Sequence, residues 1–582
     1  MSPARDADAP HRVLARLLDG QASGDGAFAP GRLAELDREA AFPERACAVL
    51  DAFGLARHYV PAADGGALRS LDLLMQLWRA VARHDLTVAI GHGKTFLGGA
   101  CIWLAGDAAQ RERLAQRVLG GEPVSWGLTE RDHGADLLAG ELRAESLDHG
   151  WRIDGEKWLI NNATRGHAIC LLARTGDGRD SRALSLFLVD RRALAAGSVR
   201  SLPKVRTLGI RGADISGIAF EGARVGADAL IGAPGAGVEV VLKALQLTRT
   251  ACVGLSLGAA DHAFSLTLAF VRERQLYGRR LADLPMARRT LGEALAMHHA
   301  AEAVASAAAR AVSWLPAEMS VLSAISKAFV PSTVEQLLAR LGELLGARAY
   351  LDDVHGQGAF QKLERDHRIV PIFDGSTVVN RQALINQFPM LARGWLRRDH
   401  DAEALEHVFD LSRPAPEMPL ARLTLVSVRG CGVVQALPAS LDALAREIAR
   451  RGAPARLGEL AEQLMRSTQA LMEAIQANQP TARAVPSAAF ELARRYELCF
   501  AGAACLRFWL HDRDEGRGAD DAGAVWSCAA LAWVIGEIDP AAAERHRPSF
   551  DALAAAVLED TAANMAHGVS RWNPRTGMER AA

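Results

Sequence analysis

Between residues 126 and 230 the chain abandons the spacing that governs it on both sides, and this break constrains the fold more than any other feature. Within it, the apolar runs AICLLAR, LSLFLVD and ISGIAFEGARV have the length of single strands. The segments joining them are too short for helical crossovers, which predicts antiparallel pairing. WRIDGEKWLI holds Asp154-Gly155 between β-rich arms and predicts a hairpin turning on that pair. Before the break, residues 71–82 repeat apolar side chains at helical spacing, and clusters such as PAADGG interrupt the pattern. After it, residues 236–392 are rich in Ala and Leu and read as long helices. A further helical region follows, where Leu457, Leu460, Leu464, Thr468, Leu471 and Ile475 predict one buried stripe. The expected order is a flexible segment (1–31), a helical domain (32–125), a β-domain (126–235), a helical bundle (236–394) and an extra helical domain (395–582). HDRDEGRGADDAG (511–523) reads as an exposed loop.

The formal net charge is −1, so no global basic field points to nucleic acid or an anionic membrane. None of the eight cysteines forms a C-x-x-C pair, and most sit in apolar runs, as small buried residues in a reducing compartment would. The first 30 residues lack the apolar core of a signal peptide. No run approaches the ~18 apolar residues of a membrane span, so a cytoplasmic protein is expected. His298 and His299 are adjacent and on a helix point about 100° apart, so they read as ordinary helix residues rather than ligands of one ion. Gly235-Ala-Gly237 follows no strand–turn–helix pattern, and G-x-S-x-G does not occur.

Four segments carry the chemistry. They are Leu128-Thr-Glu-Arg-Asp-His-Gly-Ala-Asp136, Gly155-Glu-Lys-Trp-Leu-Ile-Asn-Asn-Ala163, Leu247-Thr-Arg-Thr with Arg272-Glu-Arg-Gln-Leu-Tyr-Gly-Arg279, and Arg365-Asp366 with Ile372-Phe-Asp-Gly-Ser-Thr-Val-Val-Asn-Arg381. In this order they resemble the L-T-E-x-x-x-G-S-D, G-x-K-x-W-I-T-N-G, E-R-x-x-F-G and R-D…I-Y-E-G-T stretches of the acyl-CoA dehydrogenase superfamily. TLGIRGADISGIAFEGARV resembles a fifth block, and the likeness spans roughly residues 40–390. The resemblance implies an α+β, mostly α fold. An N-terminal helical domain, a middle antiparallel β-barrel-like domain and a C-terminal four-helix bundle would carry the extra helical domain.

It also implies FAD, held by Leu128, Thr129, Ala135, Leu159, Asn161 and Ser376, with Arg274 and Tyr277 reaching the cofactor of a neighbouring subunit. A homodimer or homotetramer follows. Ala135 replaces the motif's Ser, Leu159 stands where Trp is frequent, and Asn161 replaces the Thr expected near flavin N5. Asp374 takes the place of the catalytic Glu, one methylene shorter, and Thr248 leaves the family's second base position without a carboxylate. Three readings of Asp374 stay open: a base in a reshaped pocket, a base for another carbon acid as in nitroalkane oxidases, or a turn cap in an inactive scaffold. Arg249 and Arg381 match arginines near the base and could orient Asp374, hold a substrate or form structural ion pairs. The implied reaction is α,β-dehydrogenation of an acyl thioester, carried on coenzyme A or an acyl carrier protein, with electrons passing to an electron-transfer flavoprotein. The alternative is an oxidase that returns them to O₂.

Overall fold

The computed structural model describes residues 9–178, 180–451, 454–478, 485–511 and 522–559. It opens with helix α1 (Pro10–Gln21), where the sequence predicts a flexible segment. Proline fixes φ in its first turn, and Leu14 and Leu18 are buried against α4. One leucine stripe is enough to dock a short helix whose polar flanks disguise it. There follow α2 (Pro30–Glu39), α3 (Glu44–Phe53), α4 (Leu71–Ala82), α5 (Leu86–Ala105) and α6 (Ala108–Leu119). Side chains start the last three: Ser70 Oγ and Asp85 accept backbone N–H groups of α4 and α5, and Asp107 forms a capping box with Gln110 on α6.

The β-domain contains β1 (Val124–Gly127), β2 (Arg143–Leu147), β3 (Gly150–Asn161), β4 (Ala168–Arg174), β5 (Leu184–Asp190), β6 (Val199–Ser201), β7 (Ile215–Val225) and β8 (Leu230–Ile231). They form one sheet in the order β6-β7-β3-β2-β4-β5-β8, with β1 beside β4. Pairing is antiparallel except where β4 meets β1 and β2. The expected turn at Asp154-Gly155 is not there. β3 runs straight through that pair, and the hairpin turns instead between β2 and β3, after Leu147. Asp154-Gly155 marks a bulge against β7. Gly155 has φ +125°, and Asp154 Oδ1 accepts the Gly222 N–H at 2.7 Å. The same local chemistry that closes a two-residue turn also suits a bulge, and the pairing with β7 selects the bulge.

The second helical body holds α7 (Gly237–Glu273), the two-stranded hairpin β9 (Gln275–Leu276) and β10 (Arg279–Arg280), α8 (Pro285–Trp314), α9 (Met319–Leu345), α10 (Ala359–His367), α11 (Thr377–Ile385) and α12 (Phe388–Arg397). Helix α7 is long and apolar enough to cross a membrane, against the expectation from sequence. Yet 89% of its apolar window is buried within the fold, packed on α4, α5, α8 and α9. Gly254 and Gly258 leave no room for a Cβ against the α4 backbone, which is why α4 and α7 approach so closely.

The last region comprises α13 (Ala402–Phe409), α14 (Gly432–Gln435), α15 (Leu437–Arg451), α16 (Ala455–Ala477), α17 (Ser487–His511), α18 (Ala522–Ile538) and α19 (Ala543–Glu559). The α16 stripe is buried throughout, as its spacing predicts. Helices α17, α18 and α19 cover α8, and α17 also packs on α11. All eight cysteines are buried. Most of the expected loop at 511–523 lies outside the described residues.

Candidate active site

Two motif segments are locked together across the mouth of the sheet. Lys157, buried on β3, donates to Glu130 Oε1 at 2.7 Å and to the Leu128 carbonyl at 3.0 Å. Glu130 also accepts the backbone N–H groups of Glu141 and Leu142. Burial pushes the Glu130 carboxyl up, but Lys157 and these N–H groups outweigh it and hold the group below the usual Glu value. The Glu and Lys of these motifs therefore form a clasp. It fixes Leu128 and Thr129 beside β3, where the Trp158 N–H donates to the Thr129 carbonyl at 2.9 Å and Thr129 Oγ1 donates to the Trp158 carbonyl at 2.7 Å.

Beyond the clasp, β3 bulges again. Leu159 has φ +58° and is exposed, the register against β7 shifts between Trp158 and Ile160, and the Arg131 guanidinium lies over the Trp158 ring. Asn161 ends the strand with a buried Oδ1 that has no hydrogen-bond partner among the described residues. A buried amide oxygen without a partner is a costly feature unless a ligand meets it. Ala135 is exposed nearby in sequence, on the segment that follows the clasp.

The carboxylate of the fourth segment lies in a nest of cations. Asp374 has φ +56°, a left-handed conformation that Asp adopts more readily than longer side chains. Gly375 follows at φ +100°, and a Cβ there would meet Arg249 Nη2 at 2.7 Å. Arg249 on α7 donates from Nε to the Asp374 carbonyl at 2.8 Å. Lys327 on α9 donates to the carbonyls of Val370 at 2.7 Å and Gly375 at 3.3 Å. Asn380 Nδ2 donates to the Gly375 carbonyl, and Ser376 Oγ accepts the Val379 N–H as the cap of α11. Arg249 and Lys327 thus brace the backbone of the loop and leave the carboxylate itself to other partners. Those are Lys94 Nζ on α5, 3.6 Å from Oδ1, and the Cys252 thiol on α7, which donates to Oδ2 at 3.7 Å.

Burial pulls Arg249 down to about 10 and Lys327 down to about 8, with Asp374 acting in the opposite direction on both. It pushes the Cys252 thiol well up, and Asp374 adds to that, so the sulfur keeps its proton and acts as a donor. Thr248 is buried within α7.

Arg381 points elsewhere. It makes a bidentate ion pair with Glu497 on α17, at 2.9 and 3.0 Å, which joins α11 to the C-terminal region. This is the structural ion pair, one of the three roles the sequence leaves open for Arg381. Arg365 and Asp366 are also structural: Arg365 pairs with Asp37 and donates to the Leu208 carbonyl, while Asp366 accepts the Ile210 N–H and pairs with Lys362. Arg274 and Tyr277 lie on the β9–β10 hairpin and its approach. Tyr277 is 95% exposed, and Arg274 is exposed as well. Sequence reasoning missed Lys94, Lys327 and Cys252. For Lys94 a signal exists: it is the one Lys, Arg, Asp or Glu in the apolar helix α5.

A helical body lies on each side of a bulged sheet, and the half-buried Asp374 carboxylate sits among cations beside the second of them. The acyl-CoA dehydrogenase N-terminal, middle and C-terminal domain families match residues 27–122, 125–223 and 235–387. The chain belongs to the acyl-CoA dehydrogenase family, which comprises FAD-dependent oxidoreductases. The "Probable acyl-CoA dehydrogenase FadE25" of Mycobacterium tuberculosis is 27% identical over 352 residues, covering 60% of this chain and 88% of that protein. The mitochondrial short-chain specific acyl-CoA dehydrogenase of Homo sapiens is 24% identical over 365 residues, covering 60% of this chain and 83% of its own length. Among solved structures, an acyl-CoA dehydrogenase complexed with FAD from Bacillus anthracis has a TM-score of 0.70 at 17% identity and covers 96% of both chains. That likeness extends through the C-terminal helices. A glutaryl-coenzyme A dehydrogenase–glutaryl-CoA complex has a TM-score of 0.59 at 20% identity, covering 66% of this chain and 95% of the other.

Proposed function

We propose that the protein removes hydrogen from the α and β carbons of an acyl thioester, with Asp374 as the base for the α-proton. The observation that carries this reading is the half-buried Asp374 carboxylate, faced by Lys94 and the Cys252 thiol on a loop braced by Arg249 and Lys327. A base must be ionised when substrate enters. The braced backbone holds the carboxylate in one place, which matters because a 1 Å displacement can cost on the order of 10²-fold in rate. Aspartate rather than glutamate suits the left-handed backbone at this position.

The residues present fit a flavin. Leu128, Thr129, Ala135, Leu159 and Asn161 of one chain, with Ser376 at the α11 cap, would hold it, and the Asn161 amide oxygen, without a partner among the described residues, supports a polar heterocycle there. Bound FAD supplies the two-electron acceptor for the β-hydrogen. The exposed Arg274–Arg280 hairpin would reach the cofactor of a second copy, giving a homodimer or homotetramer. Pantetheine on coenzyme A or an acyl carrier protein would present the acyl group, and an electron-transfer flavoprotein would take the electrons.

A panel of acyl-CoA and acyl-carrier-protein thioesters, added without air, tests the reading through bleaching of the flavin absorbance. Reoxidation is then followed with an electron-transfer flavoprotein or with O₂. Bleaching with slow reaction toward O₂ is expected. Rapid reoxidation by O₂ would make the protein an oxidase, and a flavin that no thioester bleaches would overturn the reading.

A further inference from the structure

We infer that Lys94 is a positioning residue for the reaction, whose ammonium pairs with the Asp374 carboxylate and aims it. The inference rests on Asp374 being the base. Three cations converge on residues 370–375 from three helices, but they do different things. Arg249 and Lys327 make hydrogen bonds to backbone carbonyls. Of the three, Lys94 is the one within ion-pair distance of the carboxylate among the described residues, with Nζ 3.6 Å from Oδ1 and 3.7 Å from the centre of the Phe373 ring.

The placement of Lys94 is built rather than accidental. Helix α5 is fixed at its start by Asp85, which accepts the Val88 N–H and pairs with buried Lys362. Gly93, next to Lys94, packs so closely on the Trp78 ring that a Cβ there would sit 2.9 Å from it. The helix is buried over nearly its whole length, so the lysine cannot swing out to solvent without unseating it. Burying an ammonium is costly unless it is paired. Here its partners are the Phe373 ring and the Asp374 carboxylate.

The groups facing Asp374 are Lys94 from α5, Arg249 and Cys252 from α7 and Lys327 from α9. Arg249, down to about 10, stays charged below a pH of about 8, and the thiol stays protonated there. Lys327 begins to lose its charge near about 8. A profile read below that point therefore isolates the contribution of Lys94. Removing a cation within ~4–6 Å of a carboxylate disfavours its ionised form by about 1–3 units. The acid limb of the reaction should accordingly move to higher pH when Lys94 is neutralised.

The test uses the FAD-loaded full chain and the acyl-CoA that bleaches it fastest, with anaerobic bleaching rates measured across pH for Lys94→Met, Lys94→Gln, Lys94→Arg and Asp374→Asn. We expect Lys94→Met and Lys94→Gln to keep their flavin and to shift the acid limb upward by about one unit or more, so that the rate well below the limb falls about tenfold. Lys94→Arg should restore the original limb. An unmoved limb in either folded neutral variant would overturn the inference. A rise in KM confined to acyl groups that carry a carboxylate of their own, with the limb unmoved, would also overturn it and make Lys94 a substrate contact. Asp374→Asn separates the two claims: undiminished bleaching in that variant removes the base reading itself, whereas lost bleaching with an unmoved Lys94 limb removes only the present inference.

Discussion

Replacing Arg381 with Met cuts the ion pair that joins α11, the helix following the Asp374 loop, to α17. The two ends of this pair are unequal: the Glu497 side chain is 1% exposed, whereas that of Arg381 is 21% exposed. Removing Arg381 strands a carboxylate in the interior, and breaking a buried pair this way costs about 3–5 kcal/mol. Partial exposure of the arginine places the expected loss near the lower end, about 3 kcal/mol. The reverse change, Glu497→Gln, leaves a guanidinium that already touches water, so about 1 kcal/mol is expected. The sign with pH follows from the direction at Glu497. Burial pushes its carboxyl above the usual Glu value even with Arg381 opposing, and Met at 381 removes that opposition. The folded variant then binds a proton at 497 where the unfolded chain does not. Its deficit is largest on the alkaline side and shrinks as pH falls toward ordinary Glu values. Thermal and denaturant unfolding of the FAD-loaded protein at two pH values measures this. A deficit for Glu497→Gln equal to or larger than that for Arg381→Met, or one that grows on acidification, would refute the reasoning. Full stability with lost bleaching would return Arg381 to the active site.

Two further outcomes are expected elsewhere. Glu318 is buried, accepts the Gly432 N–H at 2.8 Å, and is pushed by burial from 4.5 up to about 7. Its folded form therefore holds a proton between those values that the unfolded chain has released, so its contribution to stability falls as pH rises through that window. Glu318→Gln should stabilise the protein by about 1–3 kcal/mol above pH 7 and by almost nothing near pH 4.5, as read by unfolding at both values; equal effects at the two would exclude this account. Sedimentation should show a dimer or tetramer, and Arg274→Ala should weaken FAD retention; a monomer with full flavin occupancy would rule out a hairpin that reaches across subunits.

Much of the fold could be read from spacing alone, because a change from period 3.6 to strand-length runs leaves few alternatives. The α16 stripe is buried residue for residue. Where the reading failed, tertiary pairing decided between local options of similar cost. Asp154-Gly155 suits a turn or a bulge, and β7 selects the bulge. The N-terminal residues look disordered by composition, but Leu14 and Leu18 find a ready surface on α4. At the site, motifs located Asp374 and Arg249 but gave no account of charge. Lys94 comes from α5, outside every motif, and its meeting with Asp374 is a consequence of how α5 packs against α7. For Arg381 the motifs could not choose between an ion pair and a place at the site, because its partner, Glu497, belongs to the region that they do not cover.

The central claim is that Asp374 takes the α-proton, and Asp374→Asn tests it most directly. The amide keeps the size of the side chain and its place in the left-handed turn while removing the charge. The account predicts a yellow protein with unchanged FAD content whose flavin is no longer bleached by any acyl thioester without air. In parallel, Asp374→Glu should overshoot a pocket braced for the shorter side chain and react more slowly, by up to about 10²-fold. Unchanged bleaching in the Asn variant would contradict the account outright.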